Sequence, residues 1–233
     1  MKQPFPVKLR RYEIVAGLLW LAVYLFLLGP ALSALLEGLG MPDDSPALNK
    51  VYFLTGFLGT AAIFRRFLAA SLGEAVKQPL RVLRGVLFGY CIYAVCQVAA
   101  GMLLELFAPE LENPNDESIQ ALAMGNYPMM LAATVLLTPL TEETLLRGLV
   151  FGGLREKSRG LAYVATALVF AGMHVIPYLS EMDRMTAALN CGLYILPGVA
   201  LCACYELAGT VWAPILLHAL INGIGMWAMR IGA

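Results

Sequence analysis

Residues 128–154 read PMMLAATVLLTPLTEETLLRGLVFGGL and set the fold of the chain. The run is long and apolar enough to cross a bilayer, which takes about 20 predominantly apolar residues. It nevertheless contains three charged side chains, those of Glu142, Glu143 and Arg147. A charge near the bilayer centre costs ~2.5 kcal/mol or more, so such a residue normally faces a protein interior or a wet cavity. The segment therefore predicts a membrane helix that carries a buried polar site.

The composition of the whole chain agrees with a membrane environment. Of 233 residues, 60% are hydrophobic and only 14% are charged, whereas soluble domains carry about 25% charged residues. We therefore predict an all-α, multi-pass transmembrane helical bundle. The formal net charge is zero, and no basic cluster resembles a phosphate-binding footprint, so we predict no nucleic-acid partner.

Seven apolar runs predict membrane spans. They cover residues 14–36, 48–68, 82–107, 128–154, 161–179, 185–207 (with a kink at Pro197) and 211–229. Residues 108–127 predict one long acidic loop. A cleaved signal peptide is an alternative for the first run, because residues 31–34 read ALSA. A single integral-membrane domain of residues 1–233 is the simplest architecture.

The basic residues predict the orientation of the bundle. Of the 16 lysines and arginines, twelve fall on one side of the predicted spans, Lys2 among them. Only Lys50, Arg184 and Arg230 fall on the other side, and Arg147 lies within a predicted span. Since cytoplasmic loops carry an excess of Lys and Arg, this asymmetry predicts a cytoplasmic amino terminus. The short loops favour a prokaryotic plasma membrane.

The cysteines predict no metal site or disulfide framework. All five lie in apolar runs without the close spacing that zinc sites show. They are Cys91, Cys96, Cys191, Cys202 and Cys204. We interpret them as buried free thiols, in keeping with the usual behaviour of cysteine.

The later spans contain few strongly polar side chains, and three of them are candidates for a site: His174, His218 and Asn222. At ~1.5 Å rise per residue, these three and Glu142 lie ~12 to ~21 Å from the inner ends of their helices, so they can meet in one cluster. His218 and Asn222 share a helix face, as do Glu143 and Arg147. The alternative is purely structural: an intrahelical Glu143–Arg147 ion pair, and histidines that bond neighbouring helices.

Three motifs resemble those of a known family. They are Glu142-Glu143-x-x-x-Arg147, Phe170-x-x-x-His174 and His218-x-x-x-Asn222. In this order, on hydrophobic helices, they resemble the type II CAAX prenyl endopeptidase and bacteriocin-processing (CPBP, or Abi) family of intramembrane proteases. The resemblance covers residues 128–225, which we expect to carry the catalytic core. Leu146 departs from the pattern, since many members have Phe there.

The resemblance implies hydrolysis of a peptide bond in a membrane-associated or prenylated substrate. By analogy, Glu142 is the general base that activates water with help from His174. His218 and Asn222 then stabilise the oxyanion, without a metal cofactor. Glu143, Arg147 and Phe170 support these groups. The implied partners are a peptide or lipidated peptide and the lipid bilayer.

Three alternatives remain open from the residues alone. Zinc is one, because Glu142, His174 and His218 with an open fourth position make a catalytic zinc ligand set. A proton-coupled transporter also uses membrane carboxylates and histidines, although repeated halves and broken helices are expected there. A non-catalytic immunity or scaffold protein of the same family is the third. The sequence selects neither the substrate nor an oligomeric state.

Overall fold

The computed structural model describes residues 5–40 and 46–232, and all regular structure in these residues is helical. Lys2, which we counted among the inner basic residues, lies outside them. Eight helices form the described part of the chain. They are α1 (Arg11–Gly38), α2 (Pro46–Ile63), α3 (Arg65–Lys77), α4 (Pro79–Phe107), α5 (Pro114–Arg155), α6 (Arg159–Tyr178), α7 (Arg184–Ala208) and α8 (Trp212–Gly232).

Six of the described helices are long and apolar enough to cross a membrane, and the bent pair α2–α3 supplies up to one more. The predicted all-α, multi-pass bundle is therefore confirmed. The predicted second span is wrong in one respect, because the chain turns by 80° between α2 and α3 instead of continuing as one straight helix. Trp20 donates to Thr60 Oγ1 at 2.9 Å, and Tyr24 stacks on Tyr52, so α1 and α2 run antiparallel.

A buried carboxylate fixes the bend between α2 and α3. Glu13, which is fully buried, accepts a hydrogen bond from the Arg10 backbone N–H at 2.7 Å and one from the Phe67 N–H at 3.2 Å. Arg66 also donates to the Glu13 carboxylate. The first N–H groups of a helix lack intrahelical acceptors and favour negative charge. Glu13 therefore caps the starts of both α1 and α3 and holds them together.

The predicted acidic loop is wrong over most of its length, because α5 already begins at Pro114. Asn113 caps this helix by accepting the Asp116 N–H at 3.3 Å. The helix breaks at Asn126, whose φ of −159° and ψ of 79° are not helical. Asn126 Oδ1 then accepts the Met129 N–H at 3.2 Å and caps a new helical segment. The apolar part of α5 thus starts close to residue 128, as predicted.

Contacts between helix ends sort those ends into two opposite faces of the bundle. On one face, Lys8 pairs with Glu156 at 2.6 Å, which joins the chain before α1 to the α5–α6 connection. On the other face, Asn190 Nδ2 donates to the Glu112 carbonyl at 2.8 Å, which joins α7 to the segment before α5. Most of the lysines and arginines therefore lie on the first face. Which face is cytoplasmic stays a prediction.

Candidate active site

A cavity of about 830 Å³ opens among the helices that carry the three motifs. Its wall includes four of the predicted site residues from α5, α6 and α8. These are Glu142, His174, His218 and Asn222, with Phe170 beside them. Glu143 and Arg147 do not line the cavity and are fully buried behind it. The structure therefore brings the polar residues of three separate helices to one cavity.

The two adjacent glutamates of α5 face different surroundings. Consecutive helical residues point about 100° apart, since a helix has 3.6 residues per turn. Glu142 faces the cavity with 5% of its surface exposed, and its Oε2 has no hydrogen-bond partner among the described residues. Glu143 faces the protein interior. An eight-residue π-helical stretch, Thr144–Phe151, follows them directly, and such turns occur frequently at functional sites.

Glu143 is the centre of a buried charged cluster. Its Oε1 accepts a hydrogen bond from the Arg147 guanidinium at 2.9 Å and one from His218 Nδ1 at 2.8 Å. The guanidinium also donates to the Gly198 carbonyl at 3.0 Å and lies over the Phe170 ring at 4.8 Å. Buried charges are tolerated only when they are paired and hydrogen-bonded. The cluster therefore ties α5 to α7 and α8 and fixes one ring edge of His218.

His174 is held by its own helix and by an aromatic ring. Its Nδ1 lies 2.8 Å from the Phe170 carbonyl oxygen. Because a carbonyl oxygen can only accept, Nδ1 must carry the hydrogen. The His174 ring stacks on Tyr194 with centroids 4.5 Å apart. In the neutral ring, Nε2 is therefore the nitrogen left to accept a proton or a hydrogen bond.

Asn222 fills a gap in the hydrogen bonding of α5. A π-helical turn occupies Ala133–Leu137, so the Thr138 N–H donates to the Ala133 carbonyl five residues back. The next residue, Pro139, has no N–H, which leaves the Thr134 carbonyl without its intrahelical donor. Asn222 Nδ2 donates to that carbonyl at 2.8 Å. One amide hydrogen of Asn222 is thus used in packing α8 on α5, and the other remains for a ligand.

The zinc ligand set that the sequence left open as an alternative does not come together in this arrangement. Among the described residues, no three His, Cys, Asp or Glu side chains lie close enough together to hold one ion. Nδ1 of each histidine is engaged, at Phe170 for His174 and at Glu143 for His218, so only Nε2 of each ring is left as a ligand atom; the mismatch lies in the spacing of the three side chains. The donor set Glu142, His174 and His218 therefore does not fit a metal as it stands.

Several cavity residues were missed by sequence reasoning. Tyr24 of α1 and Tyr52 of α2 line the cavity beside Glu142, and Tyr194 of α7 lies against His174. Tyr194 also accepts from Asn115 Nδ2 at 3.0 Å, which joins the start of α5 to the cavity wall. Tyrosines are ordinary residues in membrane helices, so none of them gave a signal without the fold.

A comparison with protein families singles out the same part of the chain. Residues 124–224 match the family model described as type II CAAX prenyl endopeptidase Rce1-like. A curated relative, the membrane-embedded CAAX protease MroQ of Staphylococcus aureus (strain USA300), is 24% identical over 150 residues. That match covers 64% of this chain and 59% of the relative, so less than two thirds of the relative's length is spanned. No solved structure is significantly similar to the chain.

Proposed function

We propose that this multi-pass membrane protein, whose residues 124–224 match the type II CAAX prenyl endopeptidase Rce1-like family model, is an intramembrane endopeptidase. Its substrate is a membrane-associated or lipidated peptide that reaches the cavity between the helices. The observation that carries the proposal is the meeting of Glu142, His174, His218 and Asn222 around one cavity. A purely structural set of polar residues would have no need to line an open space.

Glu142 is the proposed general base. Its carboxylate lines the cavity and is 5% exposed, so it can take a proton from a water molecule there. Nε2 of His174 is free to accept a hydrogen bond from the same water, because Nδ1 is engaged by Phe170. A positioned base of this kind contributes typically 10²–10⁴-fold to a rate. The water oxygen attacks the peptide carbonyl carbon, and Glu142 then passes the proton to the departing amine.

His218 and Asn222 are the proposed oxyanion donors. Glu143 accepts a hydrogen bond from His218 Nδ1, so Nε2 is the ring nitrogen on the cavity side. Nε2 donates a hydrogen bond when the imidazole ring carries both protons. Asn222 offers its second amide hydrogen, since the first is given to Thr134. Donors held in advance where charge develops are each worth about 2.7–4 kcal/mol. Arg147 donates to Glu143 and holds it in place, so its contribution is indirect.

Cleavage of a membrane-anchored peptide library by the purified protein tests this proposal. We expect cut peptides, detected by mass spectrometry, and a loss of about 10²-fold or more in rate for Glu142→Gln and for His174→Ala. Glu105→Gln is the matched control, because Glu105 is exposed on α4 and does not line the cavity. Wild-type rates in Glu142→Gln would contradict the proposal.

The same assay separates the metal-free scheme from a zinc enzyme. After exhaustive chelation, we expect the rate to be unchanged and the protein to contain no stoichiometric zinc. The arrangement of Glu142, His174 and His218, which does not suit a single ion among the described residues, supports this expectation. Activity that disappears with chelation and returns with one zinc per chain would overturn it.

A further inference from the structure

Two tyrosines outside the matched residues 124–224 border the proposed base. Tyr24 belongs to a π-helical turn of α1, Val23–Leu27, and only 5% of its surface is exposed. Tyr52 belongs to α2. The two rings stack with centroids 5.5 Å apart, and both line the cavity together with Glu142. The first two helices therefore contribute side chains to the same wall as the motif on α5.

The packing of α1 against α2 makes room for this pair. A Cβ at Gly56 would lie 2.9 Å from the Tyr24 ring and 3.8 Å from the Thr141 methyl group. Non-bonded carbon atoms normally approach no closer than about 3.5 Å. Gly56 therefore lets the Tyr24 ring fit between α2 and the turn of α5 that ends in Glu142.

The two hydroxyl groups can provide one hydrogen for a hydrogen bond outside the pair. The two hydroxyls lie within reach of each other, and both lie within electrostatic range of Glu142. A tyrosine hydroxyl carries a single hydrogen but can both donate and accept. When one hydroxyl donates to the other, the second keeps its hydrogen for a further acceptor. Glu142 Oε2, which has no partner among the described residues, is an acceptor of that kind.

We propose that Tyr24 and Tyr52 are positioning residues for Glu142. The free hydroxyl hydrogen of the pair is donated to the Glu142 carboxylate, directly or through one water, and turns its other oxygen toward the attacking water. This inference rests on the proposed function in assigning Glu142 as the base. It adds that α1 and α2, which carry no family motif, complete the active site. A carboxylate without such a donor samples more rotamers, so its lone pair points at the attacking water for a smaller fraction of the time.

Kinetics of Tyr24→Phe and Tyr52→Phe test the pair. Each change removes only a hydroxyl, so the ring stacking is retained. We expect kcat to fall about tenfold to hundredfold, as for small misplacements of a reacting group, with KM within twofold of wild type. We expect kcat of the double variant to be no lower than kcat of the more affected single variant, because the two hydroxyls act as one unit. Tyr12→Phe is the control, since Tyr12 is an exposed tyrosine of α1 that does not line the cavity.

An infrared measurement tests the contact without reference to activity. The carboxylate stretch of Glu142 is identified by subtracting the spectrum of Glu142→Gln. We expect this band to shift in Tyr24→Phe and Tyr52→Phe and to stay in place in Tyr12→Phe. An unshifted band, or a raised KM with unchanged kcat, would overturn the inference. An inactive wild-type protein whose band shifts would count against the protease function alone.

Discussion

Glu143 and Arg147 are fully buried and form an ion pair, so each charge is compensated by the other. Such a pair contributes little net stability compared with apolar residues of the same volume, since both ions lose their hydration. Its value lies in orientation, because Glu143 also receives His218 Nδ1 and Arg147 reaches across to Gly198. The intrahelical ion pair that sequence offered as a structural alternative is present, and it also orients a cavity residue.

Arg147→Met is predicted to destabilise the protein strongly. The change leaves the Glu143 carboxylate buried with His218 as its remaining hydrogen-bond donor, which costs about 3–5 kcal/mol. Thermal unfolding in detergent measures the loss. Arg159→Met is the control, because the Arg159 side chain is 66% exposed in its pair with Glu206 and exposed pairs are worth about 0–1 kcal/mol. The double variant Glu143→Gln/Arg147→Met should recover most of the stability; if it is no more stable than Arg147→Met, the explanation is wrong.

At the scale of single elements, hydrophobic runs predicted the membrane helices well but missed the start of α5. Apolar periodicity reports burial, and residues 114–127 are too polar to show it. The missed helix nevertheless has local signals: Asn113 at the cap, Pro114 in the first turn and acidic Asp116 and Glu117 after them. Each is typical of a helix start. The 80° bend after α2 had no comparable signal, because it depends on the distant Glu13.

The site was predictable only in part, for a similar reason. The motif positions gave its seven polar and aromatic residues, because their spacing is a property of single helices. Tyr24 and Tyr52 line the cavity with Glu142 because α1 and α2 pack against α5, which no local pattern encodes. The bond from Asn222 to Thr134 likewise depends on a π-helical turn, although Pro139 marks the place where a helical donor is lacking.

Asn222→Ala is predicted to destabilise the contact between α5 and α8. Without the amide, the Thr134 carbonyl is left unsatisfied in a buried position, which costs about 1–3 kcal/mol. In a Pro139→Ala background the new backbone N–H can donate to that carbonyl, so Asn222→Ala should cost less there. Free energies of unfolding in detergent are measured for the wild type, the two single variants and the double variant. They give the coupling free energy between positions 222 and 139. Equal costs in both backgrounds would contradict this account of the proline.

At the scale of the whole molecule, the helix ends form a basic face and an acidic face. Lys8 and Glu156 meet on the first, while Glu112 and Asn190 meet on the second. The cavity is walled near the second face by Asn113, Asn115 and Asp116. If the basic face is cytoplasmic, as the charge asymmetry predicts, this polar wall of the cavity lies toward the outside of the cell.

Cysteine labelling is predicted to place the two faces on opposite sides of the membrane. In a background without the five native cysteines, Lys157→Cys probes the basic face and Ser180→Cys probes the other; both positions are exposed. An impermeant maleimide should label Ser180→Cys in intact cells and Lys157→Cys only after permeabilisation, because positively charged segments stay in the cytoplasm. The reverse pattern would invert the orientation of the bundle. The helix α6 alone separates these two positions. Labelling of both cysteine variants in intact cells would therefore contradict the prediction that α6 crosses the membrane.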